Sequence, residues 1–266
     1  MRIGSAVLVA LALAACKPDT LALDYHFTEG STITYRMEAH AEARWQISSK
    51  GSGSYDVSFD VTETIRSADE KGATVEVQMT PLDAREEGLP SPGLETRSFS
   101  LELSPSGEVL RVLDVNGITA TALDPEEVAF IGTYRPALPE DPVHLHDSWS
   151  ATQELTTGVA PQQLATIGVL DALGRDGRGD LAYIDFDGEG SLLWSTRLPQ
   201  GDASLDGAAT TNGRAVVDIE GGFLRKASST TSGDFDVRIA SSGGRAPIGG
   251  TLHLELELTI RQTSRD

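Results

Sequence analysis

Apolar and polar residues alternate over a long stretch near the amino end of the chain, and this pattern constrains the fold more than any other feature. Every second residue from Ile33 to Ile47 is apolar, while the residues between them are mostly polar or charged. A period of two predicts a β-strand with one buried face and one wet face. A straight strand of this length would span about 50 Å at ~3.3 Å per residue, so we expect it to bend or bulge within a curved sheet.

The same alternation continues through most of the remaining sequence, interrupted by turn residues. The stretches 51–53 and 69–72 are typical turns, and Leu252 to Ile260 alternates almost without interruption near the carboxyl end. About a dozen antiparallel strands are indicated, with very little helix to cover them. We therefore predict a mainly β protein of long, curved antiparallel strands in a half-barrel or sandwich-like arrangement.

Two stretches of the sequence resemble each other. Leu101 to Arg111 and Val217 to Arg225 each indicate a strand, a glycine turn and a return strand that ends in Leu-Arg, at an offset of about 114 residues. The pattern favours two similar β units, at 23–122 and 148–266. Alternating hairpins also look alike without common origin, so duplication stays an open alternative.

Between these units, residues 123–147 are predicted to form one short helix and a proline-rich extended link. Asp124 is a suitable N-cap, Pro125 fits the first helical position, and 128–131 supplies an apolar side. Three prolines between 136 and 142 would then prevent the helix from continuing.

The first sixteen residues carry a different signal. Arg2 is followed by an apolar run from Ile3 to Ala15, which is too short for a permanent transmembrane helix and has the size of a secretory signal core. The run ends in Leu-Ala-Ala directly before the only cysteine of the chain, Cys16. This ending resembles the lipobox of bacterial lipoproteins.

The resemblance implies that residues 1–15 form a signal peptide, that cleavage falls between Ala15 and Cys16, and that the Cys16 thiol receives a diacylglyceryl group. Residues 16–22 would be a short lipidated tether. We expect an exported protein anchored to the bacterial cell membrane. The outer membrane is favoured if the host is Gram-negative, because Lys17 is not the acidic residue that signals retention.

The charge of the chain narrows the choice of partners. It carries 21 basic and 40 acidic side chains, a formal net charge of −19. Such a surface is repelled by nucleic acid and by anionic lipid headgroups, so a nucleic-acid partner is disfavoured. We expect membrane contact through the lipid on Cys16, with envelope proteins or a lipid ligand as further partners.

Catalytic and metal-binding patterns are weak in this sequence. There is no nucleophile elbow, phosphate loop or dinucleotide fingerprint, so we predict no catalytic residue and no cofactor. His144 and His146 lie on one side of an extended segment, but no third ligand is identifiable and no metal site is predicted. The run from Asp185 to Glu189 lacks the spacing of a calcium loop and is interpreted as an acidic hairpin.

The order of these segments is similar to that of an uncharacterised family of bacterial envelope lipoproteins. The lipobox, a β unit, a short helix, the link from Pro139 to Trp149 and a second β unit carry the likeness, which implies no known activity. At the level of architecture alone, long curved strands behind a lipid anchor resemble the half-barrel carriers that ferry lipoproteins or lipids across the envelope.

The first functional expectation is a non-catalytic, structural or protein-interaction role at the membrane. The alternative is a module that binds or carries a lipid or another hydrophobic ligand, and a hydrolase of unknown type comes third. Three successive alanines on the buried face motivate the alternative, because they leave space unless another element packs closely there. An apolar pocket of about 300 Å³ or more beside them would support it. The residues expected to line this space are Tyr35, Met37, Ala39, Ala41, Ala43, Trp45, Phe59 and Met79.

Overall fold

The computed structural model describes residues 20–90, 94–119, 135–157, 160–198, 201–240 and 247–266. Within these ranges the protein is all β and contains no helix. The strands are β1 (Thr32–Gln46), β2 (Lys50–Asp69), β3 (Gly72–Glu86), β4 (Leu89–Pro90), β5 (Arg97–Leu103), β6 (Val109–Val115), β7 (Ile118–Thr119), β8 (Ser148–Thr157), β9 (Ala160–Asp176), β10 (Gly179–Leu198), β11 (Gly201–Asp218), β12 (Phe223–Ile239) and β13 (Ile248–Arg265).

All of these strands belong to one antiparallel sheet. Its order is β7-β6-β5-β3-β2-β1-β13-β12-β11-β10-β9-β8, and β4 pairs with β3 at the side. Strands from both predicted units therefore form one continuous sheet, joined where β1 pairs with β13 from Ile33–Arg265 to Gln46–Thr251. The sheet is not closed, although its two ends approach each other because β6 contacts β8. The prediction of a mainly β protein with long antiparallel strands is confirmed.

The first strand shows the irregularity that its length predicts. The pairing of β1 with β13 shifts register between Thr34 and Tyr35, which marks a bulge, and β2 carries two further shifts against β3. Bulges increase the local twist and allow a long strand to curve. Side chains on one face of this curved sheet, its inner face, form the core.

The core fills one end of the inner face. A row of buried side chains runs across five neighbouring strands at paired positions: Ile184, Ala215, Ala227, Ile260 and Met37. The segment before β1 crosses this end and supplies buried Leu23 and Tyr25, while Leu138 and Val143 cover it from the link before β8. The crossing segment is held by backbone hydrogen bonds such as the reciprocal pair between Leu21 and Val143.

Two predictions concern parts of the chain that lie outside the described residues. These are the short helix near 124–131, and the signal peptide with Cys16 and residues 17–19 of the tether. The last predicted tether residues, 20–22, are described, and there Leu21 forms a β-bridge with Val143. The described part of the link, 135–147, is extended and turned, with one isolated bridge at Val143. In the described part of the chain there is no helix long and apolar enough to cross a membrane.

Candidate functional site

An apolar cavity lies on the inner face, next to the packed core. It has a volume of about 190 Å³ and is formed by strands β8 to β13, with Gly107, Glu108 and Arg135–Ala137 at one end. It is smaller than the pocket of about 300 Å³ or more that would support a hydrophobic-ligand module, and it lies mainly on strands of the second predicted unit.

Residues at paired positions on neighbouring strands form the floor of the cavity. Paired residues of an antiparallel sheet point to the same face, so a run of paired small residues makes a shallow surface. The row nearer the core consists of Ala151, Thr166, Gly188, Thr211 and Thr231. The next row contains Gly190, Ala209 and Gly233. We refer to these two rows as the floor.

The threonines of the floor present hydrocarbon to the cavity. Thr231 Oγ1 donates a hydrogen bond to Thr211 Oγ1 at 2.9 Å, and Thr166 Oγ1 donates to the Ala151 carbonyl at 3.5 Å. A Cβ atom built on Gly188 would lie 2.9 Å from the Thr211 methyl carbon and 3.1 Å from that of Thr166. The three hydroxyls therefore form hydrogen bonds within the sheet. The methyl carbons of Thr166 and Thr211 lie over Gly188.

Two phenylalanine rings border the floor along the strand direction. Phe186 lies across Gly213, where an added Cβ would meet the ring at 2.5 Å. Phe235 lies across Gly207 and Gly233, where an added Cβ would meet its ring at 2.8 and 2.7 Å. Both rings occupy space that only glycine leaves free, so each ring is held against the sheet. Phe186 separates the floor from the core, and Phe235 closes the opposite side.

Across the strands the floor ends in larger aliphatic side chains. Leu254, Leu256 and Leu258 on β13 line one end, and Leu164 on β9 lines the other. Five steps between the six neighbouring strands β8 to β13 correspond to about 24 Å along the curved sheet, at ~4.8 Å per step. The cavity is therefore long in this direction and has hydrocarbon at both ends.

Three of the predicted lining residues lie beside the cavity without lining it. Ala39, Ala41 and Ala43 pair with Leu258, Leu256 and Leu254, respectively. They are half-buried and continue the inner face next to the leucine row.

The other five predicted residues lie elsewhere on the same face. Tyr35 and Met37 are buried in the core, and Phe59 and Met79 are partly buried against it. The Trp45 ring lies over Gly51, its cross-strand partner, where an added Cβ would meet it at 2.5 Å. None of the eight is among the residues that line the cavity.

The segment Arg135–Leu138, which we call the strap, closes the end of the cavity near the core. Trp149 Nε1 donates a hydrogen bond to the Ala137 carbonyl at 2.9 Å, and the Tyr25 hydroxyl donates to the Pro136 carbonyl at 3.0 Å. Both donors belong to the well-packed end of the fold, so the strap is held in place from two sides.

A buried ion pair also holds the strap. The Arg135 guanidinium binds the Glu63 carboxylate, and the two side chains are only 5% and 1% exposed. Arg135 also lies over the Tyr25 ring, 4.8 Å from its centroid. Burial raises the pKa of Tyr25 and of Tyr35, so both phenols stay neutral at ordinary pH. Within this buried pair the two charges compensate each other.

The outer face of the sheet is charged and contrasts with the apolar inner face. His40 Nδ1 lies 2.7 Å from an Asp56 oxygen, and His253 Nδ1 lies 2.8 Å from an Asp234 oxygen. These hydrogen bonds raise the pKa of both histidines. Among the described residues there is no group of three His, Cys, Asp or Glu side chains placed to hold a metal ion.

The prediction of an acidic hairpin at Asp185–Glu189 is wrong, because all five residues lie inside β10. Asp185 pairs with Arg214 on the outer face, where its carboxylate accepts a hydrogen bond from Arg214 Nε at 2.6 Å. Phe186 and Gly188 point to the inner face instead. The alternation of the strand continues here, but after Phe186 the next two inner positions are Gly188 and Gly190, which give little hydrophobic signal.

Comparisons with known proteins show a likeness at the level of the fold. No protein-family model and no curated protein matches the chain. Among solved structures, the chain is similar to one described as lipid–protein interactions in lipovitellin, with a TM-score of 0.51 and 11% sequence identity. The match covers 91% of this chain and 26% of the lipovitellin chain, so the chain spans about a quarter of that protein. The likeness shows a similar fold.

Proposed function

We propose that this protein binds the hydrocarbon part of a lipid in the cavity on its inner face. The observation that carries the proposal is the floor, an unfilled apolar surface of small residues that extends across neighbouring strands beside a filled core. The alternative prediction of a lipid-binding module thus takes precedence over a purely structural role.

Packing explains only part of the composition of the floor. Glycine inside a strand destabilises it by about 0.5–1 kcal/mol relative to alanine, and protein interiors are normally close-packed. Threonine methyls cover Gly188 and the Phe235 ring covers Gly233, whereas Gly190 lies in a strand interior and lines the cavity beside Ala209. A ligand over Gly190 and Ala209 would recover the burial that these small residues give up.

The dimensions of the cavity suit an acyl chain. One leaflet of a bilayer holds chains about 15 Å long, half of its ~30 Å hydrocarbon core. The longer row of the floor runs for about 19 Å across the strands, given ~4.8 Å between neighbours. An extended chain therefore fits along it, with its methylene groups against alanine, glycine and threonine methyls.

The fold likeness is compatible with this proposal. The matched lipovitellin structure is described by its interactions with lipid, and its similarity covers nearly the whole of this chain. The likeness supports the architecture of the site, and the residues of this chain support the ligand class.

We further propose that the protein works at a membrane, anchored through a lipid on Cys16. The lipobox-like ending of the first apolar run supports this. Growth with radioactive palmitate should label the wild-type protein and leave a Cys16→Ala variant unlabelled. Equal labelling of the two proteins would contradict the anchor and leave the cavity proposal untouched.

The cavity is tested by filling its floor. In the full-length Cys16→Ala protein, Ala209→Leu should weaken binding of a fluorescent straight-chain fatty acid at least about tenfold, because the leucine occupies the place of the ligand. Ala208→Leu is the matched control, since Ala208 is the exposed neighbour on the same strand. Binding that is absent, or equally affected by both variants, would favour the structural or protein-interaction role.

A further inference from the structure

We infer that Phe186 and Phe235 make the cavity selective for one unbranched hydrocarbon chain that lies across the strands, and that they exclude polycyclic lipids such as sterols. The inference rests on the proposed function, because it specifies which lipids the same cavity accepts.

The width of the floor is set by the two rings. On β11 the rings cover Gly213 and Gly207, and only Thr211 and Ala209 lie between these glycines on the inner face. Alternate residues of a strand are about 7 Å apart, so two rows offer room for one slender chain between the walls. A fused ring system is broader and stiffer than such a chain.

The direction of the ligand follows from the same arrangement. Along the strands, a ligand meets Phe186 on one side and Phe235 on the other. Across the strands, it passes over the row Thr166, Gly188, Thr211 and Thr231, which carries no ring, and meets no large side chain before Leu256. A chain is therefore accommodated at right angles to the strands.

The rings are fixed walls rather than adjustable ones. Each ring lies directly against a glycine, so closely that an added Cβ atom would collide with the ring. Phe235 is also only 6% exposed. The strap adds a further limit near Phe186, because Arg135 is held by Glu63 and the Ala137 carbonyl by Trp149. Broadening the cavity would require these contacts to break.

The volume of the cavity also favours a single unbranched chain. Its volume of about 190 Å³ lies below the ~300–1,000 Å³ typical of pockets for bulky small molecules. A flexible chain fills a long narrow space by extension, whereas a rigid ring system does not.

The test compares a straight-chain ligand with a sterol on the full-length Cys16→Ala protein. Hexadecanoic acid and cholesterol are each incubated with the protein, and bound ligand is measured by native mass spectrometry. We expect the acid to bind and the sterol to bind at least about tenfold more weakly. Phe186→Ala and Phe235→Ala should each raise sterol binding, because each removes a wall.

Phe59→Ala is the matched control. Phe59 lies on the same inner face outside the cavity, so its removal should leave the preference for the straight chain unchanged. If an alanine variant does not fold, the leucine variant at the same position, Phe186→Leu or Phe235→Leu, is used instead. Urea titration verifies that each protein is folded.

The outcomes separate this inference from the proposed function. Failure of the wild-type protein to bind either ligand would overturn the proposed function. Binding of the acid together with equally strong binding of the sterol would overturn the selectivity alone. The same conclusion would follow if both wall variants kept the wild-type preference.

Discussion

At the scale of single residues, the Glu63–Arg135 pair is the most consequential polar contact of the described chain. Both side chains are almost fully buried, and Arg135 belongs to the strap. Replacing Glu63 by glutamine removes the carboxylate charge that faces the buried Arg135 guanidinium. We expect the free energy of unfolding, measured by urea titration, to fall by about 3–5 kcal/mol.

The control for this prediction removes both charges together. Glu63→Leu/Arg135→Met removes both charges of the pair, so most of the lost stability should return. Asp180→Asn, which breaks the exposed pair with Arg175, should change the unfolding midpoint little. If Glu63→Gln lowers the free energy of unfolding no more than Asp180→Asn does, the stabilising role of the buried pair is contradicted.

The outer-face histidines provide a prediction about pH. The hydrogen bond to Asp56 raises the pKa of His40 above its ordinary value of about 6.5, so the folded state favours the protonated ring. The resulting stabilisation is fully present below pH ~6.5 and is lost as pH rises through the folded pKa. It is small because the ring is 40% exposed.

Nuclear magnetic resonance of the histidine ring protons checks this directly. The His40 resonance should titrate above pH ~6.5 in the wild-type protein, and at a lower pH in Asp56→Asn. His253 provides an internal reference, because its main partner is Asp234 and the Asp56 substitution should leave its titration unchanged. An unshifted His40 midpoint in the variant would contradict the assignment.

At the scale of elements, some strands could be predicted from the sequence and others only in part. Strands β1 and β13 alternate apolar with mostly polar or charged residues, and their existence, curvature and inner face follow from that pattern. Their pairing with each other joins residues more than two hundred positions apart, and no local pattern indicates it.

The floor of the cavity was missed for a related reason. Its inner positions on β10, β11 and β12 are glycine, alanine and threonine, which carry almost no hydrophobic signal. The successive alanines of β1 pointed to space on the inner face, and they lie next to the leucines of the cavity. A period-two search for small residues, rather than apolar ones, would have found Gly188, Gly190 and Ala209.

The hairpin between β2 and β3 yields a prediction about its glycine. Gly72 has a φ of 135°, and a Cβ atom there would lie 1.8 Å from the Leu103 carbonyl oxygen on β5. Gly72→Ala should therefore lower the free energy of unfolding by more than about 3 kcal/mol, from backbone strain and displacement together.

Gly88→Ala is the matched control, because Gly88 has a φ of 77° and open space around its Cα. Only the strain of the left-handed region applies there, about 1–2 kcal/mol. Equal losses from the two substitutions in urea titration would contradict the close approach of β5 to the hairpin.

At the scale of the whole molecule, one continuous sheet carries a filled core and an unfilled cavity on the same face. The core end is covered by the segment before β1 and by the link before β8, whereas the floor carries small side chains and is bounded by two rings. This division of the inner face is the basis for proposing a lipid ligand rather than a purely structural role.

The most direct measurement of this claim is native mass spectrometry of the full-length Cys16→Ala protein, purified from its host cells without removal of lipid. We expect a population whose mass exceeds that of the polypeptide by one acyl-chain ligand. This population should be reduced in Ala209→Leu and kept in Ala208→Leu. A wild-type protein that carries no ligand and takes none up from added fatty acid would contradict it.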